Sequence, residues 1–242
     1  MKKLFIFLLT IFILPFSKII ASEYGVGKNK QYERPNVHIP VIEDNNGYTI
    51  GSDDKKIYLT FDCGYENGYT RKILNTLKKT DTKACFFITG HYLNSSLDIV
   101  EEMINDGHII GNHTYSHKSF QESTNEEIIN DINKLEKAFK EKTGQEISKY
   151  IRPPKGEYTN NSQVLLKNNG YTSVFWSLAY VDWYKDKYYG NHYSYNNVIN
   201  KIHNGAIILM HTVSKDNSED LYDIILKLKN EGYIFSTLDE LS

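Results

Sequence analysis

Several polar residues that could do chemistry follow directly after apolar stretches of the chain. Asp62 ends one such stretch, Tyr58–Phe61, and a histidine pair, His113 and His117, follows another. Imidazoles four residues apart are typical of zinc sites on helices, where one turn brings both rings to the same side. The set is completed by Arg152, Asp182 and His211, each at the end of or shortly after a further apolar stretch.

These positions indicate a functional site if the apolar stretches are parallel strands, because the active sites of α/β folds lie at the C-terminal ends of such strands. Each residue also has an ordinary interpretation. Asp62 could cap a helix, the histidine pair could be exposed, His211 could be a core histidine and Arg152 a surface charge. Asp182 followed by Trp183 indicates little when taken alone. All these ordinary interpretations would have to hold together at five strand ends, and we therefore favour a functional site.

The elements that must position these residues alternate regularly from Lys56 onward, apolar strand followed by amphipathic helix. A capping box at Thr124–Glu127 marks the start of one helix. The predicted helices cover residues 70–79, 97–106, 125–143, 164–167, 198–203 and 221–230, and the predicted strands cover 57–61, 84–88, 109–110, 150–151, 171–176, 206–210 and 233–235. Glycines stand between a helix and the next strand, where a left-handed residue is needed, at Gly107, Gly170, Gly205 and Gly232. Six or seven such units predict a parallel sheet, either open or closed into a barrel of fewer than eight units.

Composition indicates one domain and excludes some partners. The 242 residues are 40% hydrophobic and carry a formal net charge of −2. That length suffices for one α/β domain with a sizeable core, which we place at residues 55–242. Residues 23–54 are polar and contain Gly and Pro, and they are predicted to be an irregular lead-in. The near-neutral charge gives no indication of a nucleic-acid partner.

The N-terminus predicts export. Lys2 and Lys3 precede an apolar run from Leu4 to Phe16, and Ile19–Ser22 offers small residues for cleavage. This pattern is typical of a secretory signal peptide over residues 1–22. The run is short for a spanning helix, yet an uncleaved membrane anchor stays open as an alternative. Either way we expect the protein to work outside the cytoplasmic membrane, secreted or on the wall side.

Some residues carry weaker signals. The chain has 19 tyrosines, and the segment 188–195 is either a sugar-stacking lid or an ordinary surface loop. The two cysteines, Cys63 and Cys85, do not suggest a disulfide framework. Among the other histidines only His91 follows a strand, where it could line the rim of a site. None of the five is expected to be catalytic: His38, His91, His108, His192 and His203.

Five blocks, taken in order, resemble the polysaccharide deacetylases, carbohydrate esterases of family 4 with a NodB-homology domain. The blocks are Thr60–Gly64, His113–His117, Arg152–Gly156, Asp182–Trp183 and Leu209–His211. The resemblance covers about residues 56–240, nearly all of the predicted domain. It implies an α/β fold, a distorted (β/α)7 barrel of parallel strands with the active site at their C-terminal ends.

The resemblance also implies a metal-dependent hydrolysis. His113 and His117 are expected to bind a divalent metal, with zinc as the first candidate. Asp62 is expected to act as the general base, and Arg152 beside it to keep the carboxylate ionised.

On the other side of the implied site, His211 is expected to be the general acid, with its second ring nitrogen held by Asp182. The backbone N–H of Lys155 is expected to bind the oxyanion of the tetrahedral intermediate. Leu209 is expected to line the pocket for the acetyl methyl group, and Trp183 to contact the substrate.

Within the family, three runs are most similar to the delta-lactam-biosynthetic de-N-acetylases of spore formers: Asp62–Gly68, Phe175–Ser177 and His211–Asp216. This branch implies deacetylation of N-acetylmuramic acid in peptidoglycan, on the way to the muramic delta-lactam of the spore cortex made during sporulation. The expected partner is a glycan strand from which an amidase has removed the stem peptide. Whether the enzyme also closes the lactam stays open, as do two alternatives: a deacetylase for N-acetylglucosamine in peptidoglycan or chitin-like oligomers, and an inactive wall-binding module.

Two positions depart from the family pattern. Most members have a second acid that binds the metal where this chain has Cys63. A thiolate could bind zinc well, and Cys63 could equally be an inert small residue. Lys155 stands where many members have an aromatic residue, and since the family uses the backbone there, the side chain need not matter.

Overall fold

The computed structural model describes residues 30–241. The predicted signal peptide, residues 1–22, and residues 23–29 of the predicted lead-in lie outside the described residues. Between residues 30 and 241, no helix has both the length and the apolar character needed to cross a membrane.

Eight parallel strands form one curled sheet. They are β1 (Gly47–Tyr48), β2 (Lys56–Cys63), β3 (Cys85–Ile88), β4 (Ile109–Asn112), β5 (Tyr150–Ile151), β6 (Thr172–Val174), β7 (Ala206–His211) and β8 (Ile234–Ser236). The spatial order is β1-β6-β5-β4-β3-β2-β7, with β8 beside the start of β2. Beyond β6 the chain bonds to β7, where the Leu209 amide donates to the Leu178 carbonyl at 2.9 Å. This contact closes the sheet, and the predicted distorted barrel of parallel strands is confirmed.

Eight α-helices lie within the described part of the chain, and seven of them follow β1 and surround the sheet. They are α1 (Pro40–Glu43), α2 (Thr70–Lys79), α3 (Gly90–Ser95), α4 (Leu97–Asn105), α5 (Asn125–Thr143), α6 (Asn160–Asn168), α7 (Tyr193–Ile199) and α8 (Lys215–Asn230). The predicted capping box of α5 is confirmed, since the Thr124 side chain and Glu127 bond each other's backbone amides. That helix ends, as predicted, at Gly144, which is left-handed with φ 72°.

The two faces of β2 have different neighbours because side chains alternate along a strand. Ile57, Leu59, Phe61 and Cys63 pack in the apolar layer between the sheet and the surrounding helices. The alternate residues of β2 point into the barrel, where the Thr60 hydroxyl donates to the Ile208 carbonyl at 2.6 Å. Asp62 therefore reaches the barrel interior, whereas the adjacent Cys63 faces the opposite way.

Several predicted boundaries were wrong, for local reasons. α8 begins at Lys215, six residues before the predicted start, because the Ser214 hydroxyl accepts from the Asn217 amide and caps it. α7 occupies residues 193–199 instead of 198–203, and α3 was not predicted because six residues are too few to show periodicity. Part of the predicted irregular lead-in is ordered, since α1 leads into β1, which pairs with β6.

Residues 32–34 fasten the start of the described chain to the N-terminal ends of the strands. The Arg34 guanidinium donates to the carbonyls of Asn204 at 2.8 Å and Gly51 at 2.6 Å, which precede β7 and β2 respectively. The Tyr32 amide donates to the Ile202 carbonyl at 2.6 Å. We call this end of the barrel the floor; the C-terminal ends of the strands lie opposite.

Candidate active site

A pocket of about 540 Å³ opens at the C-terminal ends of the strands. Of the predicted site residues, it brings together those at the ends of β2 and β7, those that follow β4 and β5, and Trp183 from the loop after β6. Its lining comprises Asp62, Gly64, Tyr65, His113, His117, Lys155, Gly156, Glu157, Trp176, Ala179, Trp183, Leu209, His211 and Val213. Arg152 and Asp182 lie behind this lining and contact Asp62 and His211.

Asp62 lies at the end of β2, with only 7% of its surface exposed. Its Oδ1 accepts from Arg152 Nη1 at 2.8 Å, and its Oδ2 lies 3.4 Å from His113 Nε2. Burial alone raises the pKa of Asp62, but the charge of Arg152, with His113 and His211, outweighs it and holds the pKa below its usual value. The carboxylate is therefore ionised and fixed in orientation.

Arg152 is fully buried, which is uncommon for arginine and requires that every donor be satisfied. Nε donates to the Val174 carbonyl at 2.9 Å, and Nη2 donates to Thr60 Oγ1 at 2.9 Å and the Phe175 carbonyl at 3.0 Å. The guanidinium also lies 4.3 Å from the centre of the Phe87 ring. These contacts join β2, β3 and β6 to the cation that orients Asp62.

His113 is 3% exposed, and its Nδ1 donates to the Arg152 carbonyl at 2.8 Å. Because a carbonyl can only accept, the proton of the neutral ring is on Nδ1 and the lone pair is on Nε2. Burial lowers the pKa of His113, which favours this neutral form. Two acceptor atoms, His113 Nε2 and Asp62 Oδ2, thus face each other at 3.4 Å. That arrangement favours a cation or a proton near them.

His117 reaches the same place by a loop and not by a helical turn, so the predicted reason for the pairing was wrong. Thr114 and His117 both have positive φ, 64° and 57°, and the His117 amide donates to Thr114 Oγ1 at 3.0 Å. This tight turn sets the His113 and His117 ring centres 4.8 Å apart. Burial and the neighbouring His113 lower the pKa of His117 to about 4, so this ring is also neutral near pH 7.

His211 and Asp182 form the second pair of the pocket. His211 Nδ1 bonds Asp182 Oδ1 at 2.6 Å, and the His211 amide donates to Oδ2 at 2.8 Å. Burial alone lowers the pKa of His211, but Asp182 outweighs it and raises the pKa above the usual value. The bond at Nδ1 leaves Nε2 as the ring atom available to a substrate. The sequence-predicted partners are thus side by side.

Asn217, at the start of α8, holds this pair and was not identified from the sequence. Its Nδ2 donates to Asp182 Oδ2 at 2.7 Å and to the His211 carbonyl at 2.9 Å. Its Oδ1 accepts from the hydroxyls of Tyr180 at 2.7 Å and Ser194 at 2.6 Å. The side chain is fully buried, so its amide orientation is fixed by four bonds. The only signal in the sequence is its position in the run that follows His211.

The three predicted substrate contacts all line the pocket. Leu209 is 6% exposed, whereas Trp183 is 44% exposed and its ring centre lies 6.0 Å from that of His211. Lys155 is exposed at the mouth, and its backbone is left-handed with φ 57°. Such a conformation is strained for a residue with a Cβ and is often found at functional sites. Glu157, which bonds the Ser119 hydroxyl, is the other charged side chain at this edge.

Cys63 does not belong to the pocket. Its side chain is fully buried with the outward face of β2, and Sγ lies 4.0 Å from the Phe61 carbonyl. Burial raises the pKa of this thiol well above its usual value, so it stays protonated. In residues 30–241, no cluster of three or more His, Cys, Asp or Glu side chains is arranged as a metal site. Beside Asp62 Oδ2, the side chains here that could donate to a divalent cation are the neutral imidazoles of His113 and His117.

The remaining histidines of the described chain do not join the site. His91 stacks on Tyr65 near the rim, with ring centres 6.1 Å apart. His108 Nδ1 accepts from the Ala84 amide at 3.3 Å, and His203 bonds Ser177 Oγ at 2.9 Å inside the core. Cys85 is also buried and free.

Comparison with known proteins gives one family. A family model described as polysaccharide deacetylase matches residues 50–174. The chain is 41% identical over 202 residues to the peptidoglycan-N-acetylmuramic acid deacetylase PdaA of Bacillus subtilis, covering 83% of this chain and 77% of that protein. The solved structure of Bacillus subtilis PdaA, a family 4 carbohydrate esterase, is similar with a TM-score of 0.85 and 36% identity, over 94% of this chain and 98% of that one. A family 4 carbohydrate esterase from Bacillus anthracis gives a TM-score of 0.74 and 39% identity, over 90% and 98% of the two chains.

Proposed function

The chain belongs to the polysaccharide deacetylase family, and we propose that it hydrolyses the N-acetyl group of N-acetylmuramic acid residues in peptidoglycan. The observation that carries the proposal is a matched base and acid in one pocket. Asp62 has a lowered pKa and is ionised, whereas His211 has a raised pKa and can carry a proton. Amide hydrolysis needs both groups, one to deprotonate the attacking water and one to protonate the departing amine.

In the proposed reaction, Asp62 takes the proton of the attacking water. Arg152 is not a proton carrier but a positioning residue, because its Nη1 bond to Oδ1 leaves Oδ2 directed toward His113 and the pocket. His211 then gives its proton to the nitrogen of the departing sugar amine. Asp182, bonded to Nδ1, keeps the ring oriented and favours the protonated form before transfer.

His113 and His117 are the residues proposed to hold the divalent metal, with zinc as the expected ion. Bound there, the metal would polarise the acetamide carbonyl and lower the pKa of a water. The Arg152 carbonyl, by accepting from His113 Nδ1, keeps Nε2 unprotonated and directed at the site. Since Cys63 faces away, we infer that the protein supplies two imidazoles there and no thiolate.

The substrate's acetyl group is proposed to lie between Leu209, Trp183 and the Lys155 backbone. Leu209 supplies a buried apolar surface for the methyl group, and the Lys155 amide is the proposed donor to the oxyanion. Trp183 next to His211 offers a flat face against which a sugar ring can pack.

The Lys155 side chain favours muramic acid over glucosamine. It places an ammonium at the pocket mouth. Muramic acid carries a lactyl carboxylate once its stem peptide has been removed, whereas glucosamine carries no charge at that position. A carboxylate near Lys155 would gain an ion pair that glucosamine cannot make. We therefore propose that an amidase acts first.

Removal of the acetyl group leaves an amine on the same sugar as the lactyl carboxylate. These are the two groups that a delta-lactam joins, so the product is suited to the lactam of spore cortex. The substrate lies in the cell wall, and the enzyme would accordingly act outside the cytoplasmic membrane.

The experiment is mass spectrometry of muropeptides after incubation with the purified protein and Zn²⁺. Amidase-treated and untreated peptidoglycan serve as parallel substrates. We expect loss of acetyl from bare muramic residues only, followed by loss of water if the lactam closes. Loss of acetyl from glucosamine in both samples would identify a glucosamine deacetylase instead, and no mass change would favour an inactive wall-binding module.

Two variants sharpen this result. Asp62→Asn keeps the shape but removes the base, and should lower the rate by about 10²–10⁴-fold. Lys155→Met keeps the backbone amide but removes the charge, and should raise KM for muramic substrates while leaving kcat nearly unchanged. An unchanged KM in Lys155→Met would refute the proposed carboxylate contact.

A further inference from the structure

The two pocket imidazoles, His113 and His117, are joined by a turn with an unusual backbone. Thr114 is left-handed with φ 64° and is fully buried, and His117 is left-handed as well. A β-branched residue rarely adopts positive φ, because its Cβ crowds the backbone. Such a conformation persists where the surrounding structure stabilises it. The contacts that the turn makes with neighbouring elements therefore decide where His117 lies.

Asn112, the last residue of β4, holds the first half of the turn. Its side chain is fully buried and lies on the same face of the strand as Ile110, which packs in the apolar layer toward the helices. Its Oδ1 accepts from the Thr114 amide at 2.8 Å, and its Nδ2 donates to the Ile132 carbonyl of α5 at 3.3 Å. A buried amide is stabilised when both of its ends are bonded, and this one ties the left-handed residue to a helix.

Asp131, the neighbour of Ile132 on α5, holds the second half of the turn. Its Oδ2 accepts from the Ser116 amide at 3.0 Å and from the Ser116 hydroxyl at 2.8 Å. Ser116 directly precedes His117. Hydrogen bonds to an ionised carboxylate are among the stronger ones in proteins. One turn of α5 thus fixes the segment at two points, through a carboxylate and a backbone carbonyl.

The N-terminus of α3 closes the middle of the turn. The Gly90 amide donates to the carbonyls of Tyr115 at 3.1 Å and Thr114 at 3.3 Å. A Cβ at position 90 would clash with the Tyr115 ring, so only glycine permits this approach. Backbone groups of three successive residues of the turn are therefore bonded to residues outside it.

The two histidines depend on the turn to different degrees. The His113 ring is fixed directly, since its Nδ1 donates to the Arg152 carbonyl at 2.8 Å. Among residues 30–241, no hydrogen bond holds the ring of His117, whose amide donates to Thr114 Oγ1. The 4.8 Å separation of the two ring centres is thus set by the backbone of the turn. A change that frees the turn would move His117 away from His113.

From these contacts we propose that Asn112 and Asp131 are positioning residues, which hold His117 beside His113 in the arrangement that binds a divalent metal. This inference rests on the metal site of the proposed function. A metal that needs both rings binds only the ordered form of the turn, so the apparent Kd rises as the fraction of that form falls. If one molecule in ten keeps the ordered turn, Zn²⁺ affinity falls about tenfold. Losses of 10–100-fold are typical when groups that orient metal ligands are removed.

The test is Zn²⁺ affinity by chelator competition, measured on the purified protein without substrate. Asn112→Leu keeps the volume and suits the apolar layer, and Asp131→Ala removes the carboxylate from a partly exposed position. Each should weaken Zn²⁺ binding by about tenfold or more. Asp131→Asn keeps an acceptor oxygen for Ser116 and should stay within about threefold of wild type. Tm in EDTA shows that each variant is folded, and the two Asp131 variants test the proposal even if Asn112→Leu does not fold.

Matched controls remove similar groups away from the turn. Glu136→Ala removes another α5 carboxylate, which accepts from Lys149 Nζ and the Tyr171 hydroxyl, both at 2.7 Å. Gln163→Leu removes a buried amide whose Oε1 accepts from the Ser173 hydroxyl at 2.7 Å. Both controls should lower Tm without changing Zn²⁺ affinity. Equal losses of Zn²⁺ affinity in the control and turn variants, or wild-type affinity in Asp131→Ala, would overturn the proposal.

Acetyl release from amidase-treated peptidoglycan separates this inference from the proposed function. Asp131→Ala should be slow at limiting Zn²⁺ and should recover to within about twofold of wild type at saturating Zn²⁺, whereas Asp62→Asn should not recover. A rate that Zn²⁺ does not restore in Asp131→Ala would overturn the positioning role, as would a wild type that binds no Zn²⁺. A wild type that binds Zn²⁺ but releases no acetyl would refute the proposed function, while the differences in Zn²⁺ affinity would still support the role of Asn112 and Asp131.

Discussion

Replacing Arg152 by methionine tests how the pocket keeps a buried carboxylate ionised. Methionine retains much of the volume but removes the charge and every donor. Asp62 would lose its 2.8 Å partner, and the Val174 and Phe175 carbonyls would lose theirs. Burial would then act on Asp62 without the opposing cation, so its pKa should rise.

The cost follows from the burial of both partners. Arg152 is fully buried and Asp62 is 7% exposed, and breaking a buried pair by removing one partner typically costs about 3–5 kcal/mol. For a chain of this size, one kcal/mol lowers Tm by about 2–4 °C, so Tm should fall by about 6–20 °C. When Asp62 is already asparagine, Arg152→Met leaves no carboxylate uncompensated. The free energy of unfolding lost by Arg152→Met should then be at least about 1 kcal/mol smaller than in the wild type.

The assay is denaturant unfolding of the wild type, the two single variants and the double variant. Asp62 has a lowered pKa in the folded protein, so its contribution to stability is present at pH values above the ordinary aspartate pKa. That contribution is lost as the pH falls through the lowered pKa of Asp62. The stability gap between wild type and Arg152→Met should therefore narrow in acid. The reasoning would be refuted if the losses of unfolding free energy in Arg152→Met and Asp62→Asn add to that of the double variant within about 0.5 kcal/mol. It would also be refuted if the stability difference between wild type and Arg152→Met does not change with pH.

Three further predictions concern other residues around the pocket. Cys63→Ala should leave the Zn²⁺ affinity, measured by chelator competition, within about twofold of wild type, because the thiol faces the helices. A tenfold loss of Zn²⁺ affinity would instead identify Cys63 as a metal ligand. Asp182→Asn should move the alkaline limb of kcat/KM to lower pH, because Asp182 raises the pKa of His211. The His211–Asp182 pair should stabilise the fold fully below the ordinary histidine pKa and lose this effect as the pH rises through the raised pKa of His211. An alkaline limb of kcat/KM that does not move in Asp182→Asn would contradict the effect of Asp182 on the His211 pKa. Asn217→Leu should lower kcat by about 10–100-fold at unchanged KM, whereas Asn133→Leu on exposed α5 should not; equal effects would exclude a positioning role for Asn217.

The strand ends were predictable because sequence periodicity reports them directly. Once Ile57, Leu59 and Phe61 are recognised as one face of a parallel strand, Asp62 must stand at its C-terminal edge. The same argument placed His211 at the end of β7. The strands that carry these two residues therefore follow from local pattern, whereas the six-residue α3 did not.

Residues that act through loops or from distant elements could not be predicted in the same way. The approach of His113 and His117 depends on a left-handed Thr114, a conformation that threonine adopts rarely and that no sequence pattern indicates. Asn217 begins a helix and lies 35 positions from Asp182, so their bond exists only after the barrel has closed. The direction of Cys63 was decidable from strand alternation, since Asp62 faces inward and adjacent side chains alternate.

The attachment of residues 32–34 to the floor sets the direction in which the enzyme would be presented. Residues 32–34, near the start of the described chain, lie at the floor, while the pocket opens at the opposite end of the barrel. A tether on that side, to a membrane, a resin or a fusion partner, would hold the catalytic end outward. On a cell surface, such a tether would turn the mouth of the barrel toward the overlying wall and set the reach of the enzyme by the tether's length.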